Sequence, residues 1–277
     1  GLEPENEVAE SLDYGMFGTV YHDTMRALYT AEEAMAPDFI LDEKAENKGL
    51  EDAPMSAVNR SYLESWIRRP EEIKRKVKAL IMTQLNTIEV SGRNLVVADV
   101  IVRYVVRTLQ RDLELLQKEG RDSFEILGRE IKVAGEFCGQ RFKGFIDRLD
   151  SFREGQARVV DYKTGKVLED DENINDLNAE EIAEKIFNPD MKNWPKIALQ
   201  FYIYDMLVGS RPEVRGRDIY NCVYSTAHLF KEPPVTVPMN RKFFDAVSER
   251  LEALLNEMYD LDVPFRRTED ESTCSYC

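Results

Sequence analysis

Long apolar runs are missing from this 277-residue chain. No stretch approaches the roughly 20 uninterrupted apolar residues that a membrane-spanning helix needs, and the N-terminus lacks the basic-then-apolar layout of a signal peptide. Both absences predict a soluble protein that works in the cytoplasm, with no membrane partner. Cysteine is scarce too: Cys138, Cys222, Cys274 and Cys277 are too few and too scattered for a disulfide framework, and a reducing compartment suits them. Basic charge is the third shortage. Lys and Arg number 37 against 52 Asp and Glu, a formal charge of −15, which opposes binding to a polyanion because phosphate contacts come mainly from cations. Acidic groups gathered around a metal escape that objection, since the ion neutralises them. No Gly-rich loop ending in Lys-Ser or Lys-Thr is present, so any use of ATP would fall to another domain.

What is present supports one large core: 43% of residues are hydrophobic and 10% aromatic. We read residues 1–277 as a single domain. Its first residue is Gly, and its last is a Cys inside a Cys-x-x-Cys pair, so the expectation is a piece of a longer protein. Val20, Tyr21, Met25, Leu28 and Tyr29 recur at near-helical spacing, which predicts a helix over Gly18 to Thr30 with His22 in its first turns. Ala34 to Ala57 is rich in Asp, Glu, Pro and Lys and reads as a loop. Helices are expected again from about Val58, then over Pro70 to Asn86, and over Asn94 to Lys118, where Leu95, Val102, Val105, Val106, Leu109, Leu113 and Leu116 form one stripe.

Beyond Gly120 the period changes to near-alternation. Phe124 to Val133, Arg141 to Asp150 and Ala157 to Lys163 read as three strands of an antiparallel meander, with turns at Glu136 to Gly139 and Arg153 to Gln156. An acidic stretch, Leu168 to Glu184, follows as a loop running into a short helix. Pro195 opens a helix that ends at Gly209. Asp218 to Ser225 reads as a strand, Pro234 to Pro238 as a short edge segment, and Arg241 to Tyr259 as an amphipathic helix.

Asp147 and Asp161 fall on neighbouring strands of the meander and can lie side by side. Asp161 and Lys163 are two residues apart and point to the same face. Two carboxylates with an ammonium beside them suit a divalent cation and the hydrolysis of a phosphodiester: the cation supplies charge for the phosphoryl oxygens, and the Lys orients or deprotonates water or stabilises developing charge. Taken alone, an Asp-x-Lys more often closes a turn or makes a surface ion pair.

In order along the chain, Gly144-Phe-Ile-Asp147-Arg-Leu-Asp150, Val160-Asp161-Tyr-Lys163-Thr-Gly165 and Gln200-x-x-x-Tyr204 resemble the PD-(D/E)XK nuclease superfamily, in its branch of RecB-like and AddB-like nuclease domains. Gly18-Thr-Val-Tyr-His22 resembles the Gly and His motif that opens this branch. The resemblance implies that His22, Asp147 and Asp161 bind metal, Mg²⁺ or Mn²⁺, and that Lys163 is catalytic. Gln200 and Tyr204 share a helical face and are expected to touch the DNA backbone or brace Lys163, against the plainer reading of a core helix with a polar edge. Glu130 matches a recurring acidic position of the branch, with a structural ion pair as the alternative. Asp150 is expected to pair with Arg148 or cap a turn, and His228 is assigned nothing.

Cys274 and Cys277 resemble part of the cysteine cluster that holds a [4Fe-4S] centre in AddB-like proteins. With two of four cysteines present, we expect no cluster in this chain and one only in a longer protein. Arg68, Arg69, Lys74, Arg75, Lys76 and Lys78 form the one dense basic stretch, either a strand-entry groove or a solvated helical face.

The expected architecture is therefore α/β: a restriction-endonuclease-like core with a mixed central sheet flanked by helices. Residues of about 15–34 and 121–260 would form the catalytic core, about 51–120 a helical insertion, and 261–277 a tail carrying the truncated cysteine cluster. The function implied is Mg²⁺-dependent hydrolysis of DNA, exonucleolytic and on single strands, within a helicase-nuclease of double-strand break repair and recombination, with a helicase domain or subunit as partner. The rival is a non-catalytic module of the same fold that binds DNA or a partner. A carboxylate-pair glycosidase is disfavoured, because it has no use for a Lys two residues from an acid.

Overall fold

The computed structural model describes residues 11–30, 56–188 and 190–264. The loop expected over Ala34 to Ala57 falls mostly outside them, and Cys274 and Cys277 fall wholly outside. Among the described residues no helix is long and apolar enough to cross a membrane.

A six-stranded sheet with sequential order β1 to β6 forms the centre. Strands β2 (Ser123–Phe137), β3 (Gln140–Ser151) and β4 (Gln156–Lys163) make the expected antiparallel meander. The β2–β3 turn is made by Cys138 and Gly139, both at positive φ (48° and 73°), the geometry of a two-residue hairpin turn that matches strand twist. Strand β5 (Asp218–Ser225) runs parallel to β4, and β6 (Val235–Val237) closes that edge antiparallel, so the sheet is mixed. A parallel neighbour needs a crossover, and α5 (Glu169–Glu172), α6 (Ala179–Phe187) and α7 (Lys196–Val208) provide it. Helix α8 (Arg241–Tyr259) packs against α6 and α7.

The other face carries α1 (Tyr14–Leu28), α2 (Arg60–Ile67), α3 (Pro70–Leu85) and α4 (Arg93–Lys118). Helix α1 starts four residues before the periodicity suggested. Asp13 accepts the Met16 N–H at 2.7 Å and caps it there, so His22 lies past its middle rather than in its first turns. A second difference concerns Val58. It sits not in a helix but in β1 (Ala57–Asn59), which pairs with the edge of β2 and extends the sheet. Asn59 then caps α2 directly, leaving no turn residues to mark the boundary.

Two cores result, one on each face of the sheet. Phe124, Ile126, Phe152, Val160, Tyr162 and Tyr224 pack with α1 to α4, whereas Ile131, Val133, Ile146, Leu149, Val159 and Val223 pack with α6 to α8. Simple alternation fails at two places: the register of β2 against β3 shifts between Ile126 and Gly128, and Ile146 and Leu149, three residues apart, serve the same core. The second break lies opposite in both strands: the pairing passes from Arg129↔Arg148 to Ile131↔Ile146 across Glu130 and Asp147. Glu130 makes it possible by adopting φ 47°, an uncommon value for a non-Gly residue. The kink sets Asp147 beside the C-terminal end of β4.

Candidate active site

The site forms where that kink meets the C-terminal end of β4. The β3–β4 ladder runs as far as Arg148↔Val160. Next along, the Asp147 carboxylate takes over from the ladder and accepts the Tyr162 N–H at 2.7 Å through Oδ2. That bond fixes Asp147 to the neighbouring strand. Asp161 and Lys163 leave β4 on the same side, with Lys163 Nζ 2.8 Å from Asp161 Oδ2.

Helix α1 delivers His22 from above the sheet end, its Nδ1 3.4 Å from Asp147 Oδ2. The imidazole packs edge-on to Tyr162 at 5.7 Å, which limits its rotation. Gly18, one turn earlier, lies against Thr164; a Cβ there would meet the Thr164 methyl at 3.6 Å, so the close approach of α1 to β4 is comfortable but leaves little slack.

From the opposite face α7 contributes Gln200 and Tyr204. Gln200 Nε2 donates to Asp161 Oδ1 at 3.0 Å and is 2.7 Å from the Tyr204 hydroxyl. The amide therefore braces the acid rather than Lys163. Gly144 on β3 makes room for the Tyr204 ring, since a Cβ at that position would come within 2.9 Å of Cε1. Asp161 thus has both oxygens engaged, one by an amide and one by an ammonium.

His22, Glu130 and Asp147 each present a ligand atom, and these atoms all lie within 4.8 Å of one another. All three side chains are half-buried. The chemistry of the donors, one imidazole nitrogen with two carboxylate oxygens, fits a divalent cation with coordination positions left over. The electrostatics of the metal-free site point the same way. Burial opposes charge on His22, yet Asp147 beside it, helped by Asp161 and Glu130, pushes its pKa up to about 9. Burial and the nearby Asp147 push Glu130 up to about 7. Burial and Asp147 likewise raise Asp161 to about 6, against the opposing pull of Lys163 and His22. Negative charge is crowded here beyond what the site's own cations offset, which is the condition a bound cation relieves.

Of the three expected metal ligands, His22 and Asp147 meet in this group, whereas Asp161 is not among its members and is held by Lys163 and Gln200, with Tyr204 beside the amide. Glu130, left open between a site role and an ion pair, stands with His22 and Asp147 in the group that could hold a cation. Asp150 does not belong: it is buried on the other face, paired with Arg148 at 2.9 Å and with Arg158 at 2.8 Å, as expected of it. At least half of the basic stretch at the α2–α3 junction and on α3 is paired with nearby acids. Arg68 pairs with Glu64, Arg69 with Glu72 and Lys74 with Asp99, which favours the solvated helical face over an entry groove.

No curated protein matches the sequence significantly. The family description of the PD-(D/E)XK nuclease superfamily, however, matches it over residues 1–277. With the mixed sheet, its flanking helices and the acids and Lys gathered beside the C-terminal end of β4, the chain belongs to the PD-(D/E)XK nuclease superfamily.

Proposed function

We propose that this protein is a divalent-metal-dependent deoxyribonuclease. The observation that carries the reading is the meeting of His22, Glu130 and Asp147 within ligand distance of one another, next to an Asp161–Lys163 pair. In this reading His22, Asp147 and Asp161 hold the cation and Glu130 joins them. A cation so held supplies positive charge for the phosphoryl oxygens and lowers the pKa of bound water.

The protein's own groups have separable tasks. Tyr162 N–H holds Asp147 in place through Oδ2, which leaves Oδ1 for coordination. Gln200 fixes the rotamer of Asp161 through Oδ1, with Tyr204 steadying the amide. Lys163 places its ammonium beside the acid at 2.8 Å, where it orients the attacking water and stabilises charge on the scissile phosphate. Gln200 and Tyr204 therefore position the acid, while Lys163 meets the reacting atoms.

The finer assignment rests on the RecB-like and AddB-like order of motifs. It comprises exonucleolytic cutting of single strands, a place in a cytoplasmic helicase-nuclease of double-strand break repair, a helicase partner, a [4Fe-4S] cluster that would use Cys274 and Cys277, and one domain with a helical insertion of about 51–120. The test is degradation of end-labelled single-stranded DNA with Mg²⁺ or Mn²⁺, beside EDTA and Lys163→Ala. Metal-dependent cutting lost in the variant supports the reading; cutting that persists in EDTA, or at an unchanged rate in Lys163→Ala, overturns it.

A further inference from the structure

Immediately beyond Lys163 lies a cavity of about 530 Å³ between the start of α1 and the first half of α4, with Thr164 in its wall. On the α4 side it is lined by Arg93, Val97, Val100 and Tyr104, spaced as one helical stripe. Val97 and Tyr104 reach the core from one side and leave the other to the cavity. Val100 and its neighbours Leu95 and Val96 are exposed, and Val97 and Tyr104 are only partly buried. On the α1 side stand Tyr14 and Phe17.

Tyr14 is 69% exposed, yet it is not loose: its hydroxyl donates to the Thr164 carbonyl at 2.8 Å. A tyrosine tied by its tip to the residue after Lys163, with its ring faces open, is a platform. Further rings continue away from it. Phe17 meets Tyr104 edge-on at 6.1 Å, and Tyr104 meets the half-exposed Phe230 at 5.5 Å. Arg93 stands at the cavity with no acidic partner among the described residues, while Asp13, the one carboxylate lining it, is engaged as the α1 cap. Aromatic faces, an apolar wall and an unopposed guanidinium are what an unstacked base and its phosphate require.

We propose that this cavity is a base-binding subsite: it takes one unstacked nucleobase of a single-stranded nucleic acid, against Tyr14 and the α4 stripe, and so sets the adjoining phosphate at Lys163. The inference rests on the nuclease reading and deepens it. A paired and stacked base cannot enter a slot between two helices, so the subsite is also a physical source of preference for single strands over duplex.

Binding tests this apart from cutting. Fluorescence anisotropy of a short labelled oligothymidylate in EDTA buffer compares the wild type with Tyr14→Ala, Tyr14→Phe and Val100→Asp, all at exposed positions. Tyr14→Ala and Val100→Asp are expected to weaken binding about tenfold, the worth of one stacked base, and Tyr14→Phe, which keeps the ring, by less than about threefold. An oligonucleotide with one abasic residue, moved along the chain, should reproduce the loss for the wild type at one position and cause no further loss in Tyr14→Ala. Equal affinity of all proteins, no position dependence of the abasic residue, or no binding by the wild type overturns the subsite. Cleavage with Mg²⁺ is scored separately: a Tyr14→Ala variant that binds and cuts like the wild type sinks the subsite and leaves the nuclease, whereas wild-type binding with the expected pattern and no cutting does the reverse.

Discussion

Asp112 on α4 is fully buried and accepts four hydrogen bonds. Arg148 gives two, from Nη1 at 2.8 Å and Nη2 at 3.1 Å, and the hydroxyls of Tyr29 and Tyr224 give the others. Arg148 is itself 1% exposed, with the rings of Tyr29, Tyr162 and Tyr224 all within 5.7 Å of its guanidinium. Its backbone follows Asp147, and Tyr162 stands between Asp161 and Lys163. The pair therefore anchors both site strands to α4 from behind. Two acids (Asp112, Asp150) and two arginines (Arg148, Arg158) balance in this layer. Asp112→Ala leaves one buried positive charge uncompensated, which costs roughly 3–5 kcal/mol, on the order of 10 °C in Tm for a chain of this length. Asp112→Leu combined with Arg148→Met restores the balance and should recover about half of that loss or more; the two tyrosine hydroxyls left without their acceptor keep the recovery incomplete. Thermal and urea unfolding of the single and double variants measure this. A single variant that loses under about 1 kcal/mol, or a double variant that loses the sum of its parts, refutes the account of the layer.

Two further outcomes follow from the site. Gln200→Leu removes the amide that holds Asp161 and should lower the cleavage rate about 10- to 100-fold while thermal stability changes little; unchanged rates would mean that Asp161 needs no brace. Metal binding should tighten as pH rises. His22 near 9 and Glu130 near 7 hold protons at neutral pH that a cation must displace, so affinity is lowest where both are protonated and rises through those values. Together with Asp161 near 6, the gain from pH 7 to pH 9 comes to roughly 100-fold. Calorimetry across that range, in buffers of different ionisation enthalpy, reads both the affinity and the protons released; flat affinity would exclude His22 from the ligand set.

The sequence made the strand meander and the long helices legible because their patterns match what packs: Phe124 and Ile126 alternate into one core, and the α4 stripe buries one face. It hid the kink. Glu130 at positive φ carries no glycine to announce it, and the switch of faces at Asp147 shows only when β2 and β3 are laid in register. Glu130 was recoverable from that register, since it lies opposite Asp147. β1 escaped notice because Ala57-Val58-Asn59 runs straight into a helix with no turn between. His22, Asp147, Asp161 and Lys163 stood out through motif order, but the engagement of Gln200 with Asp161 depends on how α7 crosses β4, which periodicity does not encode. Tyr14 and the cavity beside it lacked any local signal, because their significance comes from α4, far away in sequence.

The central claim is that one cluster holds the metal and Lys163 does the chemistry, and the direct measurement pairs Mn²⁺ binding with cleavage of single-stranded DNA in three proteins. The account predicts that the wild type binds and cuts, that Lys163→Ala binds but does not cut, and that Asp147→Ala does neither. Cutting by Asp147→Ala at the wild-type rate, or a wild type that binds Mn²⁺ and leaves DNA intact, would contradict it.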